Sequence, residues 1–382
     1  MKKILLVGGA RPNFMKIAPL VRQLKGRRDF EYKIVHTGQH YDEEMSQIFF
    51  DELEIPAPDF HLNAGSASHA EQTAKIMVAF ERVCADERPD VVVVVGDVNS
   101  TLACSITAKK MGIKIAHVEA GLRSGDWAMP EEINRVVTDS ISDYLFVTEK
   151  SGRANLLKEG KRPERIFFVG HVMVDNLLHM KRRLDDDEMV RSGVSALKDR
   201  LGVGGYAFLT LHRPANVDAP ATFSGIVTAL NEISRDLPIV FPVHPRTRNK
   251  LDYNGLHFSD SVFLLAPLGF RESLYLWKDA ALVLTDSGGL QEETTALGIP
   301  CFTIRENTER PVTIEEGTNT LVGVRPEGIL AAYRNFRDGR MKKGRVPALW
   351  DGRAAERILD ILGKLVSDPA LSFSRKTINL KT

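Results

Sequence analysis

Short apolar runs alternate with longer amphipathic stretches along the whole chain. The runs 3–8, 32–37, 91–95, 114–118, 144–147 and 166–169 predict strands. Val91 to Val95 is an unbroken run of valine, the pattern of a strand buried on both faces. Stretches 12–25, 42–53, 67–86, 99–111, 131–142 and 149–158 fall between or after these runs and predict helices. Strand and helix in alternation mean a parallel sheet covered on both sides. A charge-rich bridge at 173–200, including Asp185, Asp186, Asp187 and Glu188, reads as a solvated helical connector. The rhythm then restarts, with strands predicted at 206–211, 238–243, 262–265, 281–285 and 300–303. Helices are predicted at 220–235, 270–278, 289–297, 326–337 and about 352–366. The expected fold class is α/β: two doubly wound, Rossmann-like domains facing each other across a cleft. The boundaries drawn from this pattern are 1–172, 173–366 and a polar tail at 367–382.

Composition narrows the choice of partners. The chain has 382 residues, of which 43% are hydrophobic and 26% charged, which suits a soluble protein with a full core. Its formal net charge is +1, without the basic surplus of a dedicated nucleic-acid binder. Cys84, Cys104 and Cys301 are far apart and form no CxxC pair, so neither a zinc knuckle nor a disulfide framework is indicated. The apolar run after Lys2 and Lys3 is too short for a signal peptide, and none approaches the ~20 residues of a membrane span. The expectation is a cytoplasmic protein that binds neither membrane nor nucleic acid.

Ligands of open parallel sheets bind at the carboxyl ends of the strands, so the loops there carry the candidate chemistry. The first loop runs Gly8-Gly9-Ala10-Arg11-Pro12-Asn13-Phe14-Met15-Lys16. It is not GxGxxG, so the dinucleotide fingerprint is absent. Its glycines permit a close backbone approach, and Arg11 and Lys16 are spaced to reach an anion at a helix N-terminus. A tight turn with two surface cations is the alternative. After the valine run comes Gly96-Asp97-Val98-Asn99, where a charge just beyond a buried strand calls for a partner or a task. Glu119 emerges from the strand 114–118, followed by Arg123, then by Glu131, Glu132 and Arg135 behind Pro130. Acids in a first helical turn commonly just complement the helix dipole. Even so, Asp97, Glu119 and Glu131 on one sheet edge suggest general acid/base work. A metal site is the rival reading, though it would normally show closer ligand spacing or a histidine pair.

The second half supplies His212 and His244 at successive strand ends, each followed by Arg or Pro-Arg. The loop Thr285-Asp286-Ser287-Gly288-Gly289 then opens a helix, presenting backbone N–H groups and a positive dipole end to a phosphate. Glu293 lies one turn further in, placed to accept from ribose hydroxyls. Arg310, in a charged loop after 300–303, is a candidate diphosphate clamp.

Four stretches in this order, HVEAGLRS at 117–124, PEEINR at 130–135, TDSGGLQEE at 285–293 and ENTERP at 306–311, resemble the non-hydrolysing UDP-N-acetylglucosamine 2-epimerases. The resemblance spans nearly the whole chain. It implies the glycosyltransferase-B architecture, usually in a homodimer, with a final helix that packs back on the first domain. It implies a UDP-sugar substrate, no cofactor and no metal. UDP leaves C1 as the C2 proton is removed, a 2-acetamidoglucal forms, and a proton returns to the opposite face before UDP adds back. By motif match Asp97, Glu119 and Glu131 form the acid/base set and His212 assists near the departing diphosphate. Arg11, Lys16, Ser287, Gly288, Gly289, Glu293 and Arg310 match nucleotide-binding positions, and Arg123, Arg135 and His244 are further substrate-binding candidates.

The chain departs from the family pattern in places. Ala215 stands where members often carry Glu after the His-Arg pair, and the 37–42 loop differs from members with a regulatory second substrate site. That loop also resembles a sister group acting on a UDP-2,3-diacetamido sugar, whereas Glu309-Arg310-Pro311 favours the plain N-acetylglucosamine substrate. A retaining UDP-sugar glycosyltransferase would share the Ser-Gly-Gly loop but would not need three carboxylates in the first half. A non-catalytic nucleotide-sugar sensor would not need them either.

Overall fold

A computed structural model describes residues 1–38, 47–184 and 188–367. Gln39 to Asp42 of the 37–42 loop, the predicted helix start at 42, Asp185 to Asp187 and the tail beyond 367 lie outside the described residues.

The first sheet contains β1 (Lys2–Gly8), β2 (Phe30–His36), β3 (Phe60–His61), β4 (Val91–Val95), β5 (Lys114–Val118), β6 (Tyr144–Val147) and β7 (Ile166–Phe168). All pairings are parallel, in the order β3-β2-β1-β4-β5-β6-β7. The valine strand β4 sits between β1 and β5 and is buried along its length. Its side chains alternate between two cores. Val91, Val93 and Val95 join Ile4, Leu6, Phe14 and Val118 on one face. Val92 and Val94 join Leu5, Val7, Phe80 and Cys104 on the other. Each face is closed by helices, which is why the strand can be apolar throughout.

The second sheet contains β8 (Ala207–Thr210), β9 (Ile239–Pro242), β10 (Val262–Leu265), β11 (Leu282–Thr285), β12 (Cys301–Thr303) and β13 (Asn319–Leu321), in the parallel order β10-β9-β8-β11-β12-β13. Both sheets thus run outward in two directions from a central pair, β1/β4 in one and β8/β11 in the other. That reversal creates the crevice at which doubly wound sheets bind ligands.

The chain divides into a first unit, residues 1–176 with 348–382, and a second unit, residues 177–347. The pattern-based boundary at 172 and the assignment of everything up to 366 to the second domain therefore need adjustment. Helix Ala354–Ser367 belongs to the first unit. Ala355, Ile358, Leu359 and Leu362 share a core with Ile17, Leu20, Val21 and Leu24 of helix Arg11–Leu24. The buried Asp175 carboxylate accepts the N–H groups of Ala354 and Ala355 at 3.1 and 2.7 Å, satisfying donors that a helix N-terminus leaves open. Trp350 Nε1 donates to the Thr148 carbonyl at 3.0 Å, fastening the returning segment.

Candidate active site

In the first unit the candidate carboxylates stand at the ends of β4 and β5. Glu119 follows β5 and is buried, and its carboxylate is ion-paired with Lys16 of helix Arg11–Leu24. Its backbone is in the left-handed region at φ 74°, where a non-glycine residue costs about 1–3 kcal/mol. Asp97, past β4, is partly exposed, and Arg135 Nε donates to its Oδ2 at 2.9 Å. Asn134 holds the same residue from behind, its Nδ2 donating to the Asp97 carbonyl at 2.8 Å. The ammonium of Lys16 lies beside Gly96, so Lys16, Glu119 and the Asp97 loop gather in one place.

Helix Pro130–Ile141 organises this edge in an unusual way. Its buried residues are Glu132, Asn134, Arg135, Thr138 and Asp139, all polar, whereas Ile133 faces solvent. Glu132 accepts from the N–H groups of Ser124 and Gly125 and from the Ser124 hydroxyl, each at 3.0 Å, and pairs with Arg135. Burial alone would raise its pKa, but these donors hold it below the usual glutamate value. Glu131, the residue matched to the acid/base set, is partly exposed beside it. The Arg123 guanidinium is engaged by Glu159 at 2.8 Å on two nitrogens and by Asp139 at 2.8 Å. Arg135 is engaged by Asp97 and Glu132. Arg11 is exposed at the start of its helix.

In the second unit the crevice residues follow β8 and β11. Asp286, fully buried, accepts from the backbone N–H groups of His212 and Arg213 at 3.0 and 2.8 Å and from Asn216 Nδ2 at 3.1 Å. His212 Nδ1 lies 3.1 Å from its other oxygen. Burial works against the charge, yet this set of partners keeps Asp286 below the usual aspartate pKa. Asp286 therefore fixes the His212 loop to the start of helix Gly288–Leu297. The His212 and His244 rings are 6.2 Å apart, both exposed, and His244 caps helix Pro245–Asn254 by accepting from Arg246 N–H at 3.2 Å.

Helix Gly288–Leu297 has Ser287 at its N-cap with no side-chain hydrogen bond closing its N-terminus, and ends on Gly298 at φ 72°. Glu292 is buried and paired with Arg310 Nε at 3.0 Å. Glu293 is also buried, and burial, reinforced by the charge of Glu292, pushes its pKa up to about 8. Arg305 and Arg213 bracket Glu309 at 3.0 and 3.8 Å. Ser287, Gly288 and Gly289 thus open this helix, Glu293 and the Glu292–Arg310 pair lie a turn further along it, and His212 is tied to its start through Asp286.

The model of the family described as UDP-N-acetylglucosamine 2-epimerase matches residues 22–363. The chain belongs to the UDP-N-acetylglucosamine 2-epimerase family. Among its relatives, the UDP-N-acetylglucosamine 2-epimerase of Methanocaldococcus jannaschii is 42% identical over 366 residues, 94% of this chain and 98% of the relative. The UDP-2,3-diacetamido-2,3-dideoxy-D-glucuronate 2-epimerase of Pseudomonas aeruginosa is 39% identical over 372 residues, 95% of this chain and all of the relative. A crystal structure of the Methanocaldococcus jannaschii epimerase, in complex with UDP-GlcNAc and UDP, superposes with a TM-score of 0.82 over 95% of this chain and 99% of that one. The two parallel α/β sheets thus belong to a fold that this chain shares with that epimerase. No helix among the described residues is long and apolar enough to cross a membrane.

Sequence reasoning named Asp286 only as part of its loop, weighed Glu132 as a complement to the helix dipole and did not name Asp139, yet all three hold the candidate loops. A signal was present for two of them. Polar residues at 132, 135 and 139 recur at helical spacing on the side of a helix that should be apolar, while Ile133 stands off that stripe. A helix that buries its polar face is building a site.

Proposed function

We propose that the protein is an epimerase that inverts C2 of UDP-N-acetylglucosamine to give UDP-N-acetylmannosamine. In the proposed sequence a carboxylate removes the C2 proton while the C1–O bond to UDP breaks, leaving a 2-acetamidoglucal and UDP. A proton is then delivered to the opposite face of C2 and UDP adds back to C1, so no electrons are gained or lost overall and no redox cofactor is needed. The observation that carries this reading is the set of strand-end carboxylates, with Glu119 against Lys16 and Asp97 against Arg135. Inversion needs one proton acceptor and one proton donor, and Asp97, Glu119 and Glu131 offer both.

Arg11 and Lys16 in the first unit are proposed phosphate-binding positions, and in the second unit so are Arg310 and the Ser287-Gly288-Gly289 helix start. His212, held by Asp286, is the proposed partner of the leaving diphosphate, and Glu293 of the ribose hydroxyls. His244 remains a substrate-binding proposal. Arg123 and Arg135 act in this scheme by holding acidic residues. A homodimer working in the cytoplasm in polysaccharide biosynthesis is the accompanying proposal, and light scattering tests its first part.

The deciding experiment is incubation with UDP-N-acetylglucosamine in deuterated water, with C2 followed by NMR. Deuterium at C2 and a manno product are expected. Glu119→Gln and Asp97→Asn should fold normally and exchange about 10²–10⁴-fold more slowly. Wild-type exchange in both variants would remove these residues from the chemistry. The 39%-identical diacetamido-glucuronate epimerase motivates a parallel assay with that sugar. Turnover of it alone would move the substrate while leaving the reaction class intact.

A further inference from the structure

We propose that His117 and Asp139 are positioning residues for the proton-transfer step: a buried histidine–aspartate bracket that ties the Asp97 loop and the Glu119 loop into one frame. The proposal rests on the epimerase reading above and adds to it residues that this reading does not use.

Neither side chain reaches solvent. His117 lies on β5, and its Nε2 is 2.8 Å from the Gly96 carbonyl. A carbonyl only accepts, so this ring nitrogen donates, and it donates to the residue immediately before Asp97. Its Nδ1 is 2.6 Å from Asp139 Oδ1. The other oxygen, Asp139 Oδ2, accepts the Gly121 N–H at 3.0 Å, two residues beyond Glu119. Arg123 closes the same oxygen from outside at 2.8 Å. One pair of side chains therefore grips the backbone of both candidate loops.

Those backbones need gripping. Gly96, Glu119 and Gly121 have φ of 67°, 74° and 81°, all left-handed, and Glu119 lacks the freedom of glycine there. Such conformations persist only where their surroundings over-determine them. Gly121 is also pressed against the Gly152 carbonyl, so closely that a Cβ would lie 2.3 Å from its oxygen. Fold stability alone is a poor reason for an ionisable pair here, because a well-packed apolar pair can fill buried space at least as well. An apolar pair cannot bond a carbonyl on one loop and an amide on the next. The rest of the polar stripe on helix Pro130–Ile141 follows the same logic. Asn134 and Arg135 end on Asp97, Glu132 on Ser124 and Gly125, and Asp139 on Gly121.

Loosening the bracket should shift the two carboxylates relative to each other while leaving the nucleotide positions as they are. A displacement of about 1 Å in a reacting group can cost 10²-fold in rate. His117→Ala is therefore expected to lower kcat for C2 deuterium exchange about 10²-fold, with KM for UDP-N-acetylglucosamine held within about threefold. His117→Gln, whose amide can still donate to Gly96, should lose less, and Asp139→Asn, which keeps an acceptor for Gly121, should resemble it. Amide hydrogen exchange, followed on the same proteins by mass spectrometry, should accelerate at 97–99 and 119–122 in the same rank order. If His117→Ala does not fold, the Gln and Asn variants carry the test with the same signs. Wild-type kcat in the variants, a parallel change in kcat and KM, or unchanged amide exchange in these two loops overturns the bracket. If the wild-type protein fails to exchange C2 at all, the epimerase reading is at fault, and the amide-exchange arm alone decides the bracket.

Discussion

The glycine pair at the end of β1 and the glycine pair after β11 both stand at the carboxyl ends of central strands, yet they are there for opposite reasons. At Gly9 a Cβ would lie 2.1 Å from Ser100 Oγ and 2.9 Å from Thr37 Oγ1, and at Gly8 it would meet the Phe14 ring at 2.9 Å. The N–H groups of Gly9 and Ala10 are both taken by Asn13 Oδ1, at 3.1 and 3.0 Å. That loop is closed on its own neighbours. At Gly289 a Cβ would meet nothing within 4 Å, and at Gly288 the nearest atom would be a Glu309 carboxylate oxygen at 3.3 Å. Neither has the positive φ that demands glycine. The second loop is open at Gly289, which leaves room that its neighbours do not fill. A Gly-Gly in a strand-end loop thus signals close approach without saying whether the visitor is a ligand or the chain itself.

The largest effect should come from breaking the closed side. Gly9→Ala forces a methyl group into Ser100, and overpacking of this severity costs roughly 3 kcal/mol. A lower urea midpoint is the readout, and Ser100→Gly in the same chain should restore part of the loss by removing the atoms that clash. A Gly9→Ala protein as stable as wild type would abolish the contrast between the loops.

The division between legible and illegible follows the same line. β4, β5, β6 and β10 are read to the residue from their apolar runs, and in β4 and β6 burial along the whole strand leaves no other pattern. β3 is two residues long, too short for any periodicity to register, and β13 opens on the polar pair Asn319-Thr320 and so shows no apolar run. Helix Pro245–Asn254 escapes because it buries only Thr247 and Leu251, although Pro245 at its start and Gly255 past its end were proper signals. The candidate carboxylates are legible as charges stranded at strand ends. Their partners are not: Lys16 finds Glu119, Asp286 collects His212, and His117 meets Gly96 only once the strands are in order.

An intermediate effect separates the carboxyl groups of the two sites. Glu119 has a lysine against it, whereas the charge that acts on Glu293 is the like-signed Glu292. With its pKa pushed up from 4.5 to about 8, Glu293 binds a proton more tightly in the folded protein than in the unfolded chain. Its contribution to stability is therefore fully present below about 4.5 and is lost as pH rises towards 8. Removing the titration with Glu293→Gln should flatten the pH dependence of unfolding across that window, by at most about 1.4 kcal/mol per pH unit. Urea unfolding at several pH values, wild type against variant, gives the slope. Identical slopes would mean that Glu293 finds a compensating partner.

The smallest effect is the most discriminating. Gly289 sits in the first turn of helix Gly288–Leu297 with helical backbone and open space where a side chain would begin. Alanine there removes conformational freedom from the unfolded chain without meeting any atom, so Gly289→Ala should stabilise the protein by about 0.5–1 kcal/mol. The added methyl group would nevertheless stand in the space proposed for a phosphate, beside N–H groups that no side chain caps. UDP affinity, measured by calorimetry, should fall even as the melting temperature rises. The two quantities moving in opposite directions would mark Gly289 as a residue kept for its ligand at a cost to the fold. If both rise together, the open loop is not where the diphosphate binds. The comparison with Gly9 would then reduce to one glycine required by packing and one required by nothing.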